Sequence, residues 1–292
     1  MIKNVMARTV LGSKGNLLAV AQTRSVLTEL VLEWPDVNVT QRTFQDDAGG
    51  LLAALESGQV HLALFDLADL PLTLPEGLEL AAVTKRLEPR STLLTKDDVT
   101  LDKLEPEAKV GVLGEREAAF LNAARPDLTA QILTGSFDDQ LNQLGADTLA
   151  ALLLPTARLL QLERRQRSGV LLEPELFPPA AGQGCIGLII RENDDLAGEL
   201  AYTLHHRPSF DRVRAERSFA AALQEHDYAV GTLANVSADG ELTLFGAVTK
   251  LDDEPLSLQA EVSGEASEAQ SLGRELAQDV LEQLEKQSKI GK

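Results

Sequence analysis

The sequence predicts an α/β fold of two successive strand-and-helix sets, closed by a small α+β segment. Three observations carry this reading. Short apolar runs alternate with stretches of helical periodicity through the first half of the chain, the pattern of parallel sheets covered by helices. An Asp239-Gly240 pair stands between two strand-like segments near the end, and both residues tolerate the positive φ of a tight hairpin. A length of 292 residues, 44% apolar and 25% charged, exceeds what one core usually fills, roughly 150 to 250 residues.

In chain order, Thr9 to Leu11 reads as a short strand and Gly12 to Asn16 as a Gly/Ser turn. Leu17, Val20, Ala21, Leu27, Leu30 and Val31 then recur at helical spacing until Trp34 and Pro35 stop the helix. A strand follows from Val37 to Phe44, then a helix from Leu51 to Ser57 ended by Gly58, then the apolar run His61 to Phe65. Charge and proline interrupt the pattern at Lys85 to Pro89. Beyond them, strands are expected at Lys109 to Leu113, Leu128 to Leu133 and Leu149 to Leu153, with helices at Glu115 to Ala124 and Ser136 to Leu144. Arg164, Arg165 and Arg167 read as a solvated helix end or loop rather than a ligand cradle.

Phe177, Pro178 and Pro179 form a stiff connection into Gly182-Gln183-Gly184-Cys185 and the apolar stretch Ile186 to Ile190. The pattern changes near Gly198. An amphipathic stretch around Val213 to Leu223 leads to a hairpin of Leu233 to Val236 and Leu242 to Val248. A strand near Leu256 to Val262 and a helix from Ser267 to Leu284 complete the third segment. No internal repeat at solenoid periods interrupts this order.

Composition excludes several classes of function. Forty-five acidic against 27 basic residues leave a net charge of −18, a field that repels phosphate backbones and anionic lipid, so neither nucleic acid nor membrane is expected as a partner. One cysteine, Cys185, cannot close an intramolecular disulfide, and no Cys/His cluster has metal-ligand spacing. Met1 to Gly12 lacks the apolar core of a signal peptide, and no window reaches the roughly 18 apolar residues of a membrane span. The expected location is the cytoplasm. The histidines at 61, 205, 206 and 226 show neither nucleophile nor metal spacing and read as structural or surface residues.

Specific motifs sharpen this picture. Leu64-Phe65-Asp66-Leu67-Ala68-Asp69-Leu70-Pro71 continues through LTLPEGLELAAV to Val83 and KRLEPR to Arg90. GSKGNLLAVAQT near the start, ARPDL at Ala124 to Leu128, TGSFDDQL from Thr134, PAAGQG from Pro179 and RAERSFAAAL from Arg214 follow the same order. Each is weak alone. Together they make the chain resemble the porphobilinogen deaminase, or hydroxymethylbilane synthase, family over nearly its whole length. The resemblance implies two α/β domains like those of periplasmic binding proteins and a small C-terminal α+β domain. The domains expected on that pattern are residues 1–84 plus 180–193, residues 88–176 and residues 198–292. The chain would return after the second domain to add a strand to the first, with hinges near Lys85 to Glu88 and Phe177 to Pro179 and a cleft between the first two domains.

The resemblance also implies a chemistry, in which four porphobilinogen units are joined head to tail with loss of ammonia on a dipyrromethane primer held by a cysteine. A carboxylate stabilises cationic intermediates, and basic side chains hold acetate and propionate groups. Asp69 occupies the position of the catalytic aspartate, although an aspartate before Leu70-Pro71 also suits a turn. Lys14, Arg90 and Arg116 are the candidate substrate-binding cations, with Lys85 and Arg86 adding basic character at the hinge.

Several positions depart from the family's pattern. Ala68 stands where a lysine usually precedes the aspartate, and Lys14 replaces an arginine, keeping charge but losing the bidentate fork. Glu117 replaces the second of two consecutive arginines, and Thr134 and Gln140 stand where two further arginines are expected. The segment that should carry the primer's thiol reads Leu223-Gln224-Glu225-His226-Asp227-Tyr228 and contains none. Cys185, in GQGC, stands where the family usually has alanine and suits a small buried residue at a strand start. The expectation is a monomeric deaminase-like protein of tetrapyrrole biosynthesis, taking a small anionic pyrrole-type ligand, carrying no dipyrromethane, and weak or inactive as a transferase. A non-catalytic small-ligand-binding or regulatory protein using the same cleft is the alternative.

Overall fold

In the computed structural model, the described residues are 8–45, 48–145, 148–163, 169–251 and 257–290. The arginines at 164, 165 and 167 and the first seven residues of the stretch Met1 to Gly12 lie outside them. The chain opens with β1 (Thr9–Lys14), α1 (Leu17–Glu33), β2 (Val39–Phe44), α2 (Ala48–Glu56), β3 (Leu62–Asp66) and β4 (Leu78–Val83). A second set follows: β5 (Ser91–Leu94), β6 (Lys109–Val112), α3 (Glu115–Ala124), β7 (Thr129–Ile132), α4 (Phe137–Gly145), β8 (Ala151–Pro155), α5 (Thr156–Gln161) and β9 (Val170–Leu171). Then come β10 (Ile186–Arg191), α6 (Asp195–Thr203), α7 (Arg207–Leu223), β11 (Tyr228–Val236), β12 (Glu241–Lys250), β13 (Ser257–Glu265) and α8 (Ala269–Ile290). Among the described residues, no helix is long and apolar enough to cross a membrane.

The chain divides into two compact units, one of residues 1–87 and 185–210, the other of residues 88–184 and 211–292. The first unit holds a five-stranded mixed sheet in the order β2-β1-β3-β10-β4. β1 runs parallel to β2 and β3, whereas the returning strand β10 lies antiparallel between β3 and β4. β3 and β10 are buried along nearly their whole length, which is why both read as continuous apolar runs instead of alternating ones. Leu11, Leu62, Leu64, Leu188 and Ile190 pack there against Val26 and Leu30 of α1 and Leu200 of α6.

Two details of this unit differ from the sequence reading. β1 extends through Lys14, because Ser13 and Lys14 pair with Thr43 and Phe44 instead of forming a turn. In α1 the buried face is Ala19, Gln22, Thr23, Val26 and Leu30, and the apolar Leu17, Val20 and Val31 are exposed. The helix is rotated from the face that hydropathy favours. Thr23 tolerates burial because its hydroxyl donates to the Ala19 carbonyl at 2.7 Å. Asn16 caps the start by accepting from the Ala19 N–H at 2.9 Å, and Pro35 follows directly on the C-cap Trp34.

The second unit contains two sheets. One is five-stranded and mixed, ordered β7-β6-β8-β5-β9, with β6 parallel to β7 and β8 while β5 is antiparallel to β8 and β9. The other is the antiparallel sheet β11-β12-β13, backed by α7 and α8. Leu93, Val110, Phe120, Leu153 and Phe177 form one core with Ala229 and Ala247 of the small sheet, so the second and third strand groups share buried surface. The β11–β12 hairpin forms where Asp239-Gly240 predicts it, but through a four-residue connection over 237–240 in which only Gly240 of the pair takes positive φ. Gly240 adopts φ +88°, and the Ser237 hydroxyl accepts from the Glu241 N–H at 3.1 Å.

Candidate functional site

In the first unit, the edge where strands β1 and β3 end presents two of the candidate residues. The strands are parallel neighbours with Gly12 paired to Ala63, so Lys14 at the end of β1 and Asp69 just beyond β3 leave the sheet on the same side. In open α/β sheets ligands bind at such carboxyl ends. Asp69 closes a short 3-10 turn, Leu67–Asp69, and is exposed. The turn is fixed at both ends. Asp66 accepts from the Ala68 N–H at 3.1 Å, and the Leu67 N–H donates to the Cys185 carbonyl at 3.1 Å. Leu67 and Leu70 are buried, so the loop is pinned by its apolar residues while the carboxylate between them faces outward. Cys185 is 1% exposed, one residue before β10.

In the second unit, Arg90 lies just before β5 and is held by acids of its own chain. Its Nε and Nη2 donate to the two Glu88 carboxylate oxygens at 2.8 and 3.0 Å, and Nη1 donates to Glu173 at 3.2 Å. The hydrogen bond it donates to Glu88 raises the guanidinium pKa above its ordinary value. Glu88 stands two residues before the arginine but was read only as part of a hinge, not as its partner. Glu173, 83 residues on, carried no sequence signal.

Arg116 and Glu117 occupy the second and third positions of α3, after Gly114 as N-cap. Arg116 lies over the Phe120 ring at 5.8 Å, donates Nη1 to the Pro178 carbonyl at 2.8 Å and Nη2 to the Glu117 carboxylate at 2.5 Å. Both side chains are largely covered. Burial opposes ionisation of Glu117, yet the charge and hydrogen bond of Arg116, its own backbone N–H and the charge of Arg158 outweigh it and hold the carboxyl below its usual value. A charged carboxylate at this place also suits the positive end of the helix.

The remaining positions supply no further cation. Thr134 is exposed, and Gln140 donates to the Gly135 carbonyl at 3.4 Å. Beside them Asp138 and Asp139 open α4, and hydrogen bonds from Ser136 lower the Asp139 pKa. Asp227 sits in an exposed turn between α7 and β11, where the Tyr228 N–H reaches back to the His226 carbonyl at 2.8 Å. The PAAGQG segment is anchored by Glu216, fully buried on α7, which accepts from the backbone N–H groups of Gly182 and Ala234, both at 2.8 Å. His61 accepts from the Val10 N–H at 3.1 Å and His206 pairs with Ser209 at 2.9 Å, both local supports of the fold. Among the described residues no group of three or more His, Cys, Asp and Glu side chains is arranged to hold a metal ion.

The family model described as porphobilinogen deaminase, dipyromethane cofactor binding domain, matches residues 9–199. The sequence is 40% identical to a porphobilinogen deaminase of Thermus thermophilus over 95% of this chain and 97% of that relative. A porphobilinogen deaminase of Deinococcus radiodurans is 34% identical over 95% and 96%. Among solved structures, a periplasmic substrate-binding protein of an ABC transporter from Coxiella burnetii covers 69% of this chain and 93% of its own, at 17% identity and a TM-score of 0.48. The reduced regulatory domain of OxyR2 from Vibrio vulnificus covers 70% and 99%, at 19% identity and a TM-score of 0.44.

Proposed function

The chain belongs to the porphobilinogen deaminase family, and on that premise we propose that it is a diverged member whose hydroxymethylbilane synthase activity is weak or absent. The family's reaction condenses pyrroles that each carry two carboxylates. A working site therefore needs cations for those groups, a carboxylate for the positive charge that develops on the pyrrole, and an anchor for the growing chain.

The observation that carries the reading is the Arg116–Glu117 pair. A substrate carboxylate approaching Arg116 meets a covered, ionised carboxylate already bonded to it, and like charges brought together in a desolvated place repel by several kcal/mol. Arg90 is engaged in the same way by Glu88 and Glu173. Lys14 keeps a charge but not a planar fork, so it holds a carboxylate as a point charge. Asp69 keeps the acid's part, exposed on a pinned turn, where it would stabilise a pyrrole cation and move its proton.

The residues present fit a covalently held dipyrromethane poorly. The turn where the thiol is expected carries Asp227, whose carboxylate forms no thioether, and Cys185 is buried at the start of β10. The reading is of a monomeric cytoplasmic protein with an anionic pyrrole-type ligand, and with neither nucleic acid nor membrane as partner. Bilane formation from porphobilinogen, measured for the parent beside Cys185→Ala, tests it. Little or no turnover is expected from both. Robust turnover by the parent would overturn the reading, and loss of that turnover in the variant would identify Cys185 as the anchor.

A further inference from the structure

The C-terminal end of α1 and that of α6 line an open surface pocket of about 540 Å³ within the first unit, formed by Glu29, Leu32, Glu33, Trp34, Tyr202 and Thr203. Its size is that of a small-ligand pocket. None of these residues is among the candidates for pyrrole chemistry, and the pocket needs its own explanation.

Electrostatics here are the reverse of what a helix end favours. The last carbonyls of α1 give its C-terminus negative character, which basic residues usually offset, yet its last turn contains none. Glu29 and Glu33 are instead one turn apart, a like-charge spacing that destabilises a helix. Neither takes part in an ion pair among the described residues. Two carboxylates and a helix C-terminus therefore line one open space, with no cation among the described residues that form it.

The aromatic walls are pre-set. Trp34 Nε1 donates to the Thr203 hydroxyl at 2.8 Å, which fixes the indole ring. Tyr202 is 73% exposed, yet it stacks on His205 with centroids 5.7 Å apart and planes 12° off parallel, and His205 is braced in turn by Phe210 at 4.8 Å. Leu32 beside them is 74% exposed. Ordered aromatic faces, carboxylates and an exposed aliphatic chain together match a planar cation on an apolar stem. The guanidinium stacks on aromatic rings and pairs with carboxylates through its fork, and it sheds water more readily than an ammonium.

We propose that this pocket is a binding site for a guanidinium group on an apolar stem, such as the side chain of arginine. Free arginine derivatives and an arginine within a peptide present the same chemistry, and two probes separate them. Trp34 is the protein's one tryptophan, so its fluorescence reports on the pocket directly. The protein is titrated with N-acetyl-arginine amide, with the blocked tripeptide Leu-Arg-Leu, and with N-acetyl-citrulline amide as the uncharged control of the same shape.

Saturable changes are expected with the arginine probes and not with citrulline. The half-point should be weakened at least fivefold in the double variant Glu29→Gln, Glu33→Gln and in Tyr202→Ala, each checked by circular dichroism to be folded. Similar half-points for both arginine probes assign a free small cation. A tripeptide at least tenfold tighter assigns a protein segment resting on Leu32, and either result upholds the site. Linear quenching without saturation, equal responses to citrulline and arginine, or saturation unchanged in both variants would overturn the proposal.

Discussion

Arg116 directs its guanidinium at two groups of its own chain, and the consequences are measurable at the level of single side chains. Glu117→Gln removes the competing charge while keeping the side chain's shape. Porphobilinogen binding by calorimetry should then tighten about tenfold, or about 1.4 kcal/mol, and an unchanged affinity would show that Glu117 does not shield Arg116. The same pair sets a pH dependence. Because Arg116 holds the folded-state carboxyl of Glu117 below its ordinary 4.5, the stabilisation is fully present above that value and is lost as pH falls through the folded value. The parent's urea midpoint should therefore fall more steeply than that of Glu117→Gln as pH is lowered below about 4.5. Parallel curves would contradict the assignment. At Asp69 the expected effect concerns rate: Asp69→Asn should reduce whatever bilane formation the parent shows by about 10²–10⁴-fold, the usual contribution of a positioned acid or base, with little change in the thermal midpoint because the side chain is exposed.

Individual elements show how much a sequence discloses and where tertiary packing takes over. Apolar runs identified β3, β8 and β10, because strands buried on both faces leave no polar alternation, and Asp239-Gly240 marked the β11–β12 hairpin, where Gly240 alone takes positive φ. The burial of α1 was not legible. Hydropathy favoured Leu17, Val20 and Val31, whereas the helix buries Gln22 and Thr23 and leaves those three exposed. A threonine that satisfies its hydroxyl on its own helix is invisible to a scale that treats it as polar. Close approach was equally hidden at Gly273 of α8. A Cβ there would stand 2.4 Å from the Ala215 carbonyl oxygen and 2.7 Å from the Ser218 Cβ of α7, so backbone must shift to admit one. Gly273→Ala should destabilise the protein by about 1–3 kcal/mol in urea denaturation despite the better helix propensity of alanine. A neutral or stabilising result would mean that α7 and α8 are less tightly apposed.

Across the whole molecule, the order of motifs disclosed the family, and the alternation of strands and helices disclosed two α/β sheets, expected to be parallel but mixed in the fold because β10 and β5 run antiparallel to their neighbours. The candidate site was legible as a set of residue types: Asp69 after β3, Lys14 at the end of β1, and a missing thiol at Asp227. What the sequence left hidden was the company those residues keep, since Glu173 and the Pro178 carbonyl reach Arg90 and Arg116 only through the fold. A net charge of −18 adds to the same account, because a chain so acidic relies on local cations to hold an anionic pyrrole, and the arginines that would serve are paired internally. The central claim is that this family member holds no covalent primer. Intact mass under denaturing conditions tests it most directly, on protein as isolated and after incubation with porphobilinogen. The account predicts the mass of the unmodified 292-residue polypeptide in both samples; an added dipyrrole that survives denaturation in either would contradict it.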